Sequence, residues 1–191
     1  MNLFFFGGSF DPPHLGHLDI IKLCVERSHQ LVLIPTKKSP FKDNYPMASA
    51  HHRIRMLELL IINIDNLVTI DDWEINKPFP NYTYETIKHL QIDYPQSNLF
   101  MIIGSDQLSH FQEWKNYREI INVVQIVAFN RDKYPYKSFD GMQINWLTDF
   151  HFDISSTEIR EQIAAGNLPS KELTLDVLKY IQSNHLYSYS I

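Results

Sequence analysis

The strongest constraint on the fold is a rhythm. Short runs rich in β-branched and aromatic residues alternate with longer stretches in which apolar residues recur at helical spacing. "NLFFF" (2–6), "QLVLIP" (30–35), "NLVTI" (66–70), "NLFMIIG" (98–104) and "VVQIVAF" (123–129) read as buried strands, with "QINWL" (143–147) a weaker one. Helical patterns lie between them at about 14–27, 50–62, 83–93 and 116–122, and 155–191 is mostly helical. Strands this continuously apolar need cover on both faces. The expected architecture is therefore α/β: a doubly wound parallel sheet with helices on both faces and a helical C-terminal part. At 191 residues, with no repeat or low-complexity linker, residues 1–191 are expected to form a single domain. The stretches 36–48 and 130–142 read as long loops, which in such domains often border a site.

Charge and cysteine content exclude several classes. Lys and Arg number 17 against 22 Asp and Glu, a net charge of −5, so no global basic field points to nucleic acid. Cys24 is the single cysteine, which rules out an internal disulfide and a cysteine zinc site and suits a reducing compartment. No run approaches the ~20 apolar residues that span a bilayer. The opening Met1–Phe6 lacks the charged flank and the length of a signal peptide. The expectation is a cytoplasmic protein with small-molecule partners, no nucleic acid and no membrane. Its self-association is not legible.

The stretch "FFFGGSFDPPHLGH" (4–17) concentrates the chemistry. In doubly wound sheets, ligands bind beyond the carboxyl ends of the strands, at a helix N-terminus. Gly7 and Gly8 are expected to end the first strand, so that the chain turns tightly and a ligand comes close. Pro12 and Pro13 suit a first helical turn, where no N–H donor is needed. His14 and His17 would then lie about 60° apart on the exposed end of the helix. There they would face an anion held by backbone N–H groups, the helix dipole and imidazole donors. The pattern is neither a Walker A loop nor G-x-G-x-x-G. The two histidines also lack zinc-site spacing and a third ligand, so no protein metal site is expected.

The same stretch resembles the G-x-[TS]-F-D-P-x-H-x-G-H motif of the nucleotidyltransferase superfamily, which implies a Rossmann-like domain. The resemblance implies that His14 and His17 contact the triphosphate and stabilise charge during transfer, with Gly7, Gly8, Ser9 and Phe10 lining the nucleotide. "ISSTEIR" (154–160) opens a helix in which Ser155 and Glu158 have capping-box spacing and Gly166 can provide the stop. Arg160 lies just over one turn in, within reach of an anion at that helix start. The stretch is similar to the superfamily's I-S-S-T-x-x-R, which implies ATP contacts from Ile154, Ser155, Ser156 and Arg160. "IIGSD" (102–106) is similar to I-I-G-x-D, which implies nucleotide contacts from Gly104 and Asp106. The simpler reading of Asp106 is a helix cap.

Further segments resemble the nicotinate-mononucleotide adenylyltransferase family: "HHRIRMLELLI" (51–61), "PNYTYETI" (80–87), "FQEWKNY" (111–117), "FNRDKYP" (129–135) and "YIQSNHLY" (180–187). This resemblance implies ATP and nicotinate mononucleotide as substrates and Mg²⁺ as the ion accompanying ATP. It places the mononucleotide near Thr83, His110 and Trp114, with the indole on the pyridine ring, and Arg131 on the ATP side. The implied chemistry is attack of the 5′-phosphate on the α-phosphorus of ATP. His14, His17, Lys42 and Arg160 would neutralise charge, and Cys24, expected to be buried, would take no part. The chain departs from that family at Phe41 in "SPFK" (39–42), where a histidine is usual. It departs again at Gln112 for a proline and at Asp132-Lys133 for Pro-Gly. The alternatives are a phosphopantetheine or nicotinamide-mononucleotide adenylyltransferase, a cytidylyltransferase, and a non-catalytic nucleotide-binding module.

Overall fold

The computed structural model describes residues 1–38, 45–64, 66–78, 80–130, 142–148 and 155–188. Six strands form one sheet: β1 (Asn2–Gly8), β2 (Gln30–Pro35), β3 (Val68–Ile70), β4 (Asn98–Gly104), β5 (Val124–Phe129) and β6 (Ile144–Leu147). Their order is β3-β2-β1-β4-β5-β6, with every neighbouring pair parallel. The helices are α1 (Leu15–Val25), α2 (Ala50–Ile61), α3 (Trp73–Asn76), α4 (Thr83–Asp93), α5 (Ser105–Leu108), α6 (Tyr117–Val123), α7 (Ser156–Ala164) and α8 (Leu175–Ser183). A 3-10 turn, Phe111–Glu113, lies between α5 and α6.

Alternation along the strands sorts the core into two layers. Phe4, Phe6, Leu31, Leu33, Ile102 and Val127 face Ile21, Leu57, Ile159 and Val177 of α1, α2, α7 and α8. Leu3, Phe5, Val32, Met101 and Ile126 face Ile87, Leu108, Phe111 and Ile120 on the other side. The doubly wound expectation holds. Each sealed Leu, Ile or Phe contributes about 1.5–3 kcal/mol, so β1, buried from Leu3 to Phe6, is a stiff platform for the turn at its carboxyl end.

After β1 the chain crosses to one face and after β4 to the other, which opens a crevice between their carboxyl ends. The register pairs Phe6 with Ile102 and so brings Gly8 level with Gly104. Expected boundaries shift: the strand expected over 2–6 runs on to Gly8, the helix expected over 14–27 is Leu15–Val25, and the strand expected over 66–70 is Val68–Ile70. Helices α3 and α5, four residues each, are too short to carry a period and were not legible. Helix α7 closes at Gly166, φ 81°, where the N–H groups of Gly166 and Asn167 return to Ile163 and Gln162, both at 2.9 Å. Among the described residues, no helix is long and apolar enough to cross a membrane.

Candidate active site

The turn beyond β1 is made differently from the expectation. The strand runs on through Gly7 and Gly8, and the left-handed residue is Phe10, φ 49°. An aromatic residue is costly there and persists only where its surroundings fix it. The Phe10 ring is sealed, edge-on to Phe6 at 5.5 Å. Gly8 makes room for it, since a methyl group there would stand 3.1 Å from the ring. At Gly7 a methyl would meet nothing within 4 Å among the described residues, so this exposed strand end offers open space to a ligand.

His14 is not in the first turn of α1 but caps it, with extended backbone, and Pro12 and Pro13 lie before the cap. The two histidines are not on an exposed end either; His14 is 3% and His17 8% exposed. Their rings pack together at 3.8 Å between centroids, and Phe10 packs on His17 at 5.1 Å, so the turn folds over them. The His14 backbone N–H donates to His17 Nδ1 at 3.2 Å. Acceptance there leaves Nε2 as the donor nitrogen of the neutral His17 ring.

Asp11, which sequence reasoning passed over, is the hub of the turn. Its buried carboxylate accepts the N–H groups of Met47 (2.7 Å) and Ala48 (3.0 Å) and the Tyr187 hydroxyl (2.7 Å). Burial, then Asp11 beside it, pushes the Tyr187 phenol well above its usual range. Arg53 of α2, 2% exposed, donates to the Ser9 carbonyl at 2.6 Å. Burial pulls its guanidinium below the usual value, and Asp11 opposes that. One signal could have found Arg53. It shares a helix face with Met56, Leu57 and Leu60, where a charge needs buried partners. Asp11 is the aspartate of the F-D-P element in the motif at 7–17, though nothing beside it in sequence announces its burial.

From the far end of the chain, Arg160 Nη1 donates to the Asp11 carbonyl at 2.7 Å and lies 4.0 Å from its carboxylate. Ser156 Oγ donates to the Pro12 carbonyl at 2.9 Å. The structure thus brings Ser155, Ser156 and Arg160 to the turn that bears His14 and His17. Ser155 and Glu158 close the expected capping box, the Glu158 carboxylate taking the Ser155 N–H at 2.7 Å.

On the β4 side, Gly104 caps α5 and Asp106 lies inside it, which corrects the helix-cap reading of Asp106. A methyl at Gly104 would collide with the Asp106 carboxylate and the Phe129 ring, so this glycine is a close approach. His110 is exposed and held by Glu113 at 3.0 Å. Trp114 is half-buried against Phe111, 5.0 Å between centroids. Lys115 lies over the Tyr82 ring at 4.3 Å and ties this segment to the start of α4. Thr83 is the first residue of α4, and Tyr82 at the cap makes no side-chain capping bond. Beneath that start lies Glu74 of α3, 6% exposed, which accepts the Thr86 hydroxyl at 2.5 Å. Burial pushes its carboxyl up to about 7, against the opposing effects of the Thr86 bond and Lys77.

Cys24 is sealed, as expected, and burial pushes its thiol up to about 12, which disqualifies it as a nucleophile. The sequence did not reveal a His–Asp–Asp group away from this turn. His89 Nε2 lies 2.8 Å from Asp71 and 3.5 Å from Asp93, with its ring stacked on Trp73. Lys42, Arg131 and Ile154, with the departures at Phe41, Asp132 and Lys133, lie outside the described residues. Around the turn, imidazole and guanidinium donors flank an open strand end, an arrangement suited to holding a polyanion.

Comparison with known proteins gives a consistent picture. The family model described as cytidylyltransferase-like matches residues 5–162. A protein of Methylacidiphilum infernorum named "Probable nicotinate-nucleotide adenylyltransferase" is 38% identical over 95% of this chain and 90% of its own length. One of the same name from Chlorobium phaeobacteroides is 35% identical over 98% of this chain and its full length. Among solved structures, nicotinic acid mononucleotide adenylyltransferase of Plasmodium falciparum, complexed with NaAD, superposes with a TM-score of 0.85 at 20% identity. That match covers 99% of this chain and 98% of the other, and at this identity it speaks for the fold.

Proposed function

The chain belongs to the cytidylyltransferase-like family and, within it, to the nicotinate-nucleotide adenylyltransferases. From that premise we propose that it moves the adenylyl group of ATP to nicotinate mononucleotide, giving the deamido dinucleotide and pyrophosphate. The observation that carries this reading is the clasp on the first turn. Arg160 and Ser156 bond the carbonyls of Asp11 and Pro12, three and two residues before His14. Two chain segments remote in sequence, both rich in anion donors, thereby face one strand end.

In the reaction, an oxygen of the mononucleotide 5′-phosphate forms a bond to the α-phosphorus. The bond from that phosphorus to the bridging oxygen breaks, and pyrophosphate leaves with its electron pair. The nucleophile is already anionic near neutral pH, so no general base is required. Alignment of two polyanions and neutralisation of charge supply the catalysis. His17 donates through Nε2 to the triphosphate, and His14 and Arg160 share that charge, joined by Lys42. Gly7, Gly8, Ser9, Phe10, Gly104, Asp106, Arg131, Ile154, Ser155 and Ser156 complete the ATP side. Mg²⁺ enters on the triphosphate as part of the substrate. The turn offers it imidazole and guanidinium groups, and its one buried carboxylate, Asp11, is already engaged, so phosphate oxygens are its natural ligands.

On the acceptor side, the first-turn N–H groups of α4, with Thr83, receive the nicotinate carboxylate. Trp114 stacks on the pyridinium, a flat cation suited to an indole face. His110 lies at the rim. Residues 1–191 act as one domain, in the cytoplasm, on small molecules and without nucleic acid. The test is pyrophosphate release from ATP with a panel of acceptors: nicotinate mononucleotide, nicotinamide mononucleotide and phosphopantetheine, with CTP and phosphocholine as a control pair. Fastest release with nicotinate mononucleotide is expected. A faster rate with another acceptor reassigns the substrate, and release with none leaves a binding module.

A further inference from the structure

The acceptor end of the site contains a buried acid that the adenylyl-transfer mechanism does not use. Glu74 reaches two ways. Its carboxylate accepts the Thr86 hydroxyl at 2.5 Å, and its backbone carbonyl accepts Asn81 Nδ2 at 2.9 Å. All three residues are at least nine-tenths buried. Asn81 Oδ1 is buried without a partner among the described residues, so the bond to Glu74 is what fixes that amide. Between Asn81 and Thr86 lie the uncapped start of α4 and Thr83, one helical turn above Thr86.

We infer that Glu74 is a positioning residue for the acceptor substrate, which sets the N-terminus of α4 and Thr83 for the nicotinate carboxylate and tunes its affinity by its own charge. The inference rests on the adenylyltransferase reading of the site. With Glu74 neutral, the clamp holds α4 and the incoming carboxylate meets the helix dipole, while Glu85 in the same first turn is balanced by Lys77. With Glu74 ionised, a like charge lies one turn beneath it. Lys77, drawn to Glu85, faces Glu74 and favours its ionised form, whereas Asp71, itself held by His89, opposes it. Burial outweighs Lys77, so the carboxyl changes state near neutral pH. Proton and nicotinate carboxylate are then coupled ligands, each raising the affinity for the other.

The test is steady-state kinetics from about pH 6 to about pH 8.5 on the wild type, Glu74→Gln and Glu74→Ala. Nicotinate and nicotinamide mononucleotides serve as acceptors. Glu74→Gln keeps the shape and cannot ionise. The wild-type to Glu74→Gln ratio of KM for the nicotinate acceptor should therefore rise about tenfold across that range. The same ratio for the nicotinamide acceptor should stay flat, and the substrate phosphate's own titration cancels in both. Glu74→Ala, which loses the Thr86 half of the clamp, should raise the nicotinate KM at least about tenfold over Glu74→Gln at every pH, with the KM for ATP within about twofold. Parallel pH profiles for wild type and Glu74→Gln would overturn the inference, as would an equal rise in both KM values in Glu74→Ala. Should the wild type fail to adenylylate nicotinate mononucleotide at all, the function itself falls, a result distinct from either.

Discussion

Helices α7 and α4 both start at the carboxyl edge of the sheet, yet they are finished in opposite ways. Helix α7 closes its own start: Ser155 and Glu158 satisfy each other's backbone N–H groups. Tyr82 gives α4 no side-chain cap, and the nearby acid, Glu74, is buried beneath the helix instead of at its tip. A helix start that is already capped has fewer donors to offer a ligand. Helix α7 therefore acts through a side chain, Arg160, braced on the Asp11 carbonyl. Helix α4 is left to act through its backbone. Under the proposed function, the contrast divides the crevice into a guanidinium end for the triphosphate and an N–H end for a carboxylate.

The largest expected effect comes from removing the α7 side chain. Arg160→Ala should lower kcat/KM at least about a hundredfold (about 2.7 kcal/mol), read in steady-state assays with ATP varied. An effect confined to the acceptor KM would put Arg160 at the wrong end. Next in size is the buried acid of α4. The Glu74 carboxyl is raised from 4.5 to about 7 in the fold, so the folded state holds its proton more tightly than the unfolded chain. The associated stability is present below about pH 4.5 and is lost as pH rises through about 7. Glu74→Gln should thus exceed the wild type by on the order of 2 kcal/mol at about pH 8, roughly 4–8 °C in Tm, with the gap closing toward pH 4.5.

A third change makes α4 resemble α7. Tyr82→Asp supplies the missing cap, so Tm should rise slightly while the KM for nicotinate mononucleotide rises about tenfold. An unchanged KM would mean that these N–H groups do not receive the carboxylate. The smallest effect is the converse. Ser155→Ala opens the α7 cap and should cost about 1 kcal/mol, some 2–4 °C in Tm, with little change in the KM for ATP. A large rise in that KM would show that Ser155 itself binds phosphate.

The doubly wound sheet was legible because its strands are nearly continuous apolar runs and its longer helices keep a clear period. The segments that meet at the first turn were legible where residue types cluster in sequence, as at His14, His17 and "ISSTEIR". What escaped was long-range. Asp11 gathers donors from Met47, Ala48 and Tyr187, and nothing local marks an acid that will be buried by partners so remote. The turn was misplaced for a related reason. Glycines invite a left-handed reading, yet packing against Phe6 and His17 holds Phe10 there and gives Gly8 the task of making space. Glu74 was hidden because α3 is four residues long, and only the tertiary fold sets it beneath α4.

The most direct measurement traces the label from ATP. With ATP labelled at the α-phosphorus and excess nicotinate mononucleotide, the label should appear in a dinucleotide containing both nucleotides, while a γ-label leaves in pyrophosphate. Recovery of the α-label as free AMP, or its retention in ATP while the nucleotide binds, would contradict adenylyl transfer.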